Sequence, residues 1–190
     1  MNEYTVDEAL LFWVYDNLKP GSTILELGSG ESTRQFKSHG YNVISVEHDP
    51  KFIGLVPGVD YIHAEIEKYE GRYDLPPSLK KRMTIKHHGW YNRRQLKKGL
   101  EKKNYDLILV DGPTRDIGRA GFVANFHLFH RNAIIIFDDM HRMDELYMAR
   151  RIANEVGRDL LITNNGYTVV GKKNNGDLKA EEKKPFGVIW

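Results

Sequence analysis

Apolar and polar positions along this chain follow two periods. Short runs rich in β-branched residues, Ile24–Leu27, Val43–Val46, Tyr105–Asp111 and Ala133–Phe137, read as buried parallel strands, and Val59–Ala64 reads as a third strand in chain order. Helical spacing separates them. From Thr5 to Leu18 the residues Leu10, Trp13, Val14 and Leu18 share one face, behind a capping box of Thr5 and Glu8 and ahead of Pro20-Gly21. Trp13 there is either core or a substrate contact. His48-Asp49-Pro50 opens a short helix or turn through Ile53. The spacing predicts further helices over Phe122–Phe129 and Met140–Val156, the second with Met143, Leu146, Tyr147 and Ile152 towards the core. Leu160–Thr163, Asn164-Asn165-Gly166 and Tyr167–Gly171 form a hairpin pattern. Strands alternating with helices give an α/β chain with a parallel sheet.

Composition narrows this to one domain over 1–174, followed by a charged tail, 175–190, whose apolar end Phe186–Trp190 docks either on the body or on a second subunit in a homodimer. No apolar run approaches the ~20 residues of a membrane span, and the N-terminus shows no leader pattern, so a cytoplasmic location without membrane attachment is expected. Cysteine is absent, which excludes disulfides and thiol nucleophiles and leaves His, Asp and Glu as metal ligands. The net charge of +2 does not call for nucleic acid. It is unevenly spread. Residues 66–104 hold twelve of the 28 Lys and Arg against four acids, together with His87-His88-Gly89-Trp90-Tyr91. This segment predicts one helix plus an inserted loop. It is either a solvated basic face or a lid, with cations for an acidic substrate and Trp90 and Tyr91 stacking on a ring.

The chemistry centres on Thr23–Glu47: strand, Gly-rich turn, helix, strand, terminal acid. A carboxylate at that strand end is placed to accept hydrogen bonds from a ribose diol. A dinucleotide fingerprint needs a third glycine, and this chain has Thr33 there. Instead Glu26-Leu27-Gly28-Ser29-Gly30 resembles the first motif of the class I S-adenosylmethionine-dependent methyltransferases. The resemblance implies a Rossmann-like three-layer sandwich with a mostly parallel seven-stranded sheet, its hairpin supplying the antiparallel strand. It also implies S-adenosyl-L-methionine as cofactor. Glu26, Gly28 and Gly30 would lie at the methionine part, Glu47 on the ribose, Glu65 beside the adenine, and Asp111 in the same pocket.

Acids end several strands: Glu26, Glu47, Glu65, Asp111, Asp138 and Asp139. Gathered at one edge, they need counter-charge. Asp111, Asp138 and Asp139 resemble the divalent-metal site of metal-dependent O-methyltransferases of the macrocin and novobiocin tailoring type, and such hard oxygens suit Mg²⁺ or another divalent cation. The other reading has these acids capping helices or pairing with Arg115 and Arg142. Asp111-Gly112-Pro113-Thr114, Gly118-Arg119, Asp139, Arg142 and Glu145 are similar in order to the glucuronoxylan 4-O-methyltransferase group, with Asp138 where that group has His. Together these resemblances imply O-methylation of a hydroxyl on a small, acidic or sugar-like substrate. Asp111 and His141 would be the catalytic residues, and Arg119 and Arg142 would join Trp90 and Tyr91 at the substrate. A non-catalytic nucleoside-binding protein and a nucleic-acid methyltransferase remain the alternatives.

Overall fold

The computed structural model describes residues 6–68 and 88–171. Thr5, most of the basic insertion and the tail from 172 lie outside them. The helices are α1 (Glu8–Asn17), α2 (Glu31–Ser38), α3 (Arg93–Leu100), α4 (Ala120–Ala124) and α5 (Met143–Val156). The strands are β1 (Thr23–Leu27), β2 (Asn42–Glu47), β3 (Asp60–His63), β4 (Ile66–Lys68), β5 (Gly89–Tyr91), β6 (Leu107–Val110), β7 (Ile134–Phe137), β8 (Leu160–Ile162) and β9 (Thr168–Val170). Seven of them form one sheet in the order β3-β2-β1-β6-β7-β9-β8. Only β9 runs antiparallel to the other six. This is the Rossmann-like sandwich that the sequence predicts.

Strand periodicity sorts the core into two layers. Leu25, Leu27, Ile108, Val110, Ile135 and Phe137 face one side, where Leu96 and Leu100 of α3, Phe122 of α4 and Met148 and Ile152 of α5 cover them. Ile24, Leu107, Leu109, Ile136 and Val169 face the other, under Leu10, Leu11 and Val14 of α1 and Phe36 of α2. Strands covered on both faces have no polar side to show, so their sequences are almost unbroken apolar runs. Asp7 caps α1, its carboxylate accepting from Ala9 N at 2.7 Å.

Three predicted elements change. The helix expected over Phe122–Phe129 is α4 followed by a 3₁₀ turn at Phe126–Leu128. The last long helix starts at Met143, and Met143 itself is exposed, while Asp144, Glu145, Met148 and Ala149 turn inward. The insertion begins and closes as a hairpin, β4 pairing antiparallel with β5 in the register Ile66↔Tyr91 and Glu67↔Trp90, before α3 follows.

That hairpin moves Trp90 and Tyr91 off the expected lid. Both are buried in the core layer, at 2% and 0% exposure. Trp90 lies flat against Gly121, where a Cβ would stand 2.3 Å from its ring. Only glycine fits there.

The strand order reverses between β1 and β6, so the turns that leave these adjacent strands point to opposite sides of the sheet and open a crevice at their carboxyl ends. The two turns nearly touch. A Cβ on Gly112 would come within 2.8 Å of Gly28 Cα, and Gly28 has φ +92°, a region open mainly to glycine. The backbone of one turn thus packs directly on that of the other, with Gly28 half-buried and Gly112 buried.

Candidate active site

The first half is built from amides around one acid. Glu47 ends β2 almost fully buried, and its carboxylate accepts from Ser29 N at 2.8 Å, His48 N at 2.6 Å and Asp49 N at 2.7 Å, with His48 Nδ1 also 2.8 Å away. Burial raises its pKa, but the hydrogen bonds from His48, Asp49 and Ser29 outweigh burial and leave it below the usual carboxylate value. The same contact raises His48. Glu47 is therefore an ionised acceptor tying the turn after β1 to the turn after β2. Ser29 occupies this bend between the predicted Gly28 and Gly30, and Gly30 begins α2 with its N–H donating to Thr33 Oγ1 at 3.0 Å.

Glu26 is in a different place from the one expected. Strand alternation turns it to the α2 side, fully buried, where the hydroxyls of Ser32 and Thr33 donate to it and Ser45 Oγ lies at 3.3 Å. Burial pushes its pKa up to about 8 against those hydrogen bonds. It fastens the Gly-rich turn to the start of α2 and does not face the crevice. Glu65 is exposed; its backbone is fixed by Gln95 Oε1 and Asn92 N.

The second half is a cluster of acids around a buried arginine. Asp111 follows β6, and Asp138 and Asp139 follow β7; carboxylate oxygens of the three lie within 4.8 Å of one another. Parallel pairing of β6 with β7 brings these strand ends side by side. Asp139 has φ +64°, a backbone state uncommon for a residue with a side chain and concentrated at functional sites. Burial, then Asp111 and Asp139, lift Asp138 to about 7. Burial and Asp139 likewise raise Asp111 against the pull of Arg119.

Arg119 is not a substrate-facing cation. At 3% exposure, its Nη2 reaches Asp111 Oδ1 at 3.1 Å and Asp139 Oδ2 at 2.9 Å, and its other nitrogens meet the carbonyls of Pro113, Val110 and Asp138. A guanidinium in that cage has no donor left to offer a ligand. Arg142 is turned the same way, with Nη1 2.7 Å from Asp139 Oδ2. His141 is exposed on the loop between Asp139 and α5.

Three contributors to this cluster have no part in it assigned from the sequence, although Gly112 and Glu145 stand in the resemblance that carries Asp111, Arg119 and Asp139. Gly112 makes the close backbone pass. Tyr91, expected on a lid, instead brings a fully buried hydroxyl to Gly112 in the field of Glu47 and Asp111; burial first, then those acids, raise it well above the ordinary tyrosine value. Glu145 is the third, 1% exposed and 3.9 Å from Arg119 Nε. Burial lifts its pKa to about 8 although Arg119 pulls it down. Of these, the pair Gly112-Pro113 is marked by its turn chemistry, whereas nothing local marks Tyr91 or Glu145.

Neither a known family model nor a curated protein matches this chain. Solved structures do. The methyltransferase MycE of the mycinamycin biosynthetic pathway, in complex with Mg and SAH, is similar with a TM-score of 0.54 at 15% identity, over 94% of this chain and 49% of that one. Its complex with Mg, SAH and mycinamycin VI gives 0.55 at 13%, over 91% and 50%. The chain thus spans about half the length of MycE. The C-terminal domain of precorrin-6Y C5,15-methyltransferase from Rhodobacter capsulatus is similar over 91% of this chain and 92% of its own, with a TM-score of 0.51 at 10% identity. At these identities what is shared is the fold.

Proposed function

We propose that this chain is an S-adenosylmethionine-dependent methyltransferase that acts on a hydroxyl of a small, acidic or sugar-like substrate with the help of a divalent cation. One observation carries the reading: the ionised Glu47 and the Asp111–Asp138–Asp139 triangle line the same carboxyl edge, on either side of the close Gly28–Gly112 pass. The solved structures with Mg and SAH on this fold support it.

The residues fit both guests. Glu47 Oε2, which accepts only from Ser29 N, stays open to the ribose, and the half-buried Gly28–Gly30 turn offers backbone to an amino-acid end. Four carboxylates, Asp111, Asp138, Asp139 and Glu145, surround two guanidiniums, Arg119 and Arg142, so ionisation of all four leaves two negative charges, which one divalent cation balances. Burial first, and neighbouring acids after it, raise Asp138 and Glu145, and a cation in the triangle would offset the second of these causes. When bound, the cofactor supplies an electrophilic methyl and the cation lowers the pKa of a coordinated hydroxyl. The chain itself positions. Asp111 stands between the two halves, and His141, beside the acid pair, is the base that receives the hydroxyl proton.

Calorimetry with S-adenosylhomocysteine tests this. Wild type binds. Glu47→Ala loses about 10–100-fold in affinity, the value of one or two charge-assisted hydrogen bonds. Absence of binding to wild type rejects the reading. A nucleic-acid substrate is the second reading, favoured by the exposed Arg93, Arg94, Lys97 and Lys98 on α3, and it predicts RNA or DNA binding with steep salt dependence.

A further inference from the structure

Glu145 is the least explained buried acid among the described residues. It is 1% exposed, in the first turn of α5, and neither of its oxygens has a hydrogen bond among the described residues. A buried carboxylate without partners costs free energy that packing alone does not return. Its neighbour Arg119, by contrast, is fully committed: Nη2 gives one N–H to Asp111 Oδ1 and the other to Asp139 Oδ2, while Nε donates to Pro113 O at 3.3 Å and stands 3.9 Å from Glu145 Oε1.

We propose that Glu145 is the second anchor of Arg119, a positioning residue that takes the guanidinium when a divalent cation enters the triangle of Asp111, Asp138 and Asp139. This rests on the cation reading above. The guanidinium now occupies two of the three carboxylates that a cation would need, and its positive charge opposes an arriving one. Release must therefore accompany binding. A buried guanidinium cannot be left without a carboxylate, and Glu145 is the acceptor within reach. Shortening 3.9 Å to the ~2.9 Å of a hydrogen bond takes a shift of only about 1 Å. The exchange satisfies Glu145, frees Asp111 Oδ1, and relieves Asp139 Oδ2 of one of its two guanidiniums, with Arg142 left there as the fixed counter-charge. Arg119 is then a built-in stand-in for the cation, and Glu145 the place where it is stored.

Two measurements on the full chain test this. The first is calorimetric titration with Mn²⁺ of wild type, Glu145→Gln and Glu145→Asp, each checked for an intact fold by circular dichroism and for S-adenosylhomocysteine affinity. Both variants should bind Mn²⁺ about tenfold more weakly, as supporting partners of metal ligands commonly do, with unchanged S-adenosylhomocysteine affinity. Wild-type Mn²⁺ affinity in Glu145→Asp would show that only charge matters and would overturn the hand-over. The second is a ¹H–¹⁵N titration with Mg²⁺ that follows the Arg119 Nε–H signal. It should move downfield in wild type as a carboxylate replaces the carbonyl, and stay in place in Glu145→Gln; an unmoved signal in wild type that has bound Mg²⁺ overturns the inference. If wild type takes up neither ion, the cation reading falls and this inference with it, while the nucleoside pocket remains to be judged by S-adenosylhomocysteine binding alone.

Discussion

Two glutamates on neighbouring strands, Glu26 and Glu47, are both almost completely buried, yet their environments drive them in opposite directions. Glu47 is surrounded by amide donors and stays ionised; Glu26 has only hydroxyls, and burial lifts it to about 8 from its ordinary 4.5. The linkage follows from the sign of each shift. Glu26 is raised, so its contribution to stability is fully present below about pH 4.5 and is lost as pH rises through about 8. Asp138 has the same sign over a window ending near 7. Thermal unfolding should therefore show the midpoint falling from about pH 5 towards about pH 8. Glu26→Gln, which keeps the shape and hydrogen bonds to Ser32 and Thr33, should flatten that slope. An equally steep slope in Glu26→Gln would show that the carboxyl is solvated. Glu47 is lowered, so its share is present above the ordinary carboxylate value and is lost on acidification through its own lower one.

Among the elements, the β4–β5 hairpin decides how the insertion is understood. Its register places Trp90 beneath α4, with its ring 6.4 Å from Phe122 and flush with Gly121. Truncation there removes a large buried ring, so Trp90→Ala should cost about 3–5 kcal/mol of stability in urea unfolding. Gly121→Ala should also destabilise, because the added methyl meets the ring at 2.3 Å. Wild-type stability in Trp90→Ala would restore the lid. The hairpin was hidden in the sequence for a physical reason. Strands of three residues carry too little periodicity to register, and their pairing joins positions more than twenty residues apart. The long parallel strands announced themselves for the opposite reason, since burial on both faces makes them continuous apolar runs.

On the scale of the molecule, strand order does most of the positioning. Chain connectivity sends β2 and β3 to one side of β1 and β6 and β7 to the other, and the reversal gathers Gly28, Glu47, Asp111, Asp138 and Asp139 on one edge. That much was legible, because acids and glycines at the ends of apolar runs mark carboxyl ends of strands. The inward partners were not. Which face Glu26 takes depends on the packing of α2. That Arg119 turns away from solvent depends on carbonyls and acids from the β6 turn, the β7 turn and α5, brought together only by the finished fold.

A crystal structure of the full chain with S-adenosylhomocysteine tests the central claim most directly. The account predicts the nucleoside in the crevice between the β1 and β6 turns, with both ribose hydroxyls within hydrogen-bonding distance of the Glu47 carboxylate. A nucleoside bound elsewhere, with Glu47 still closed on Ser29, His48 and Asp49 alone, would contradict it.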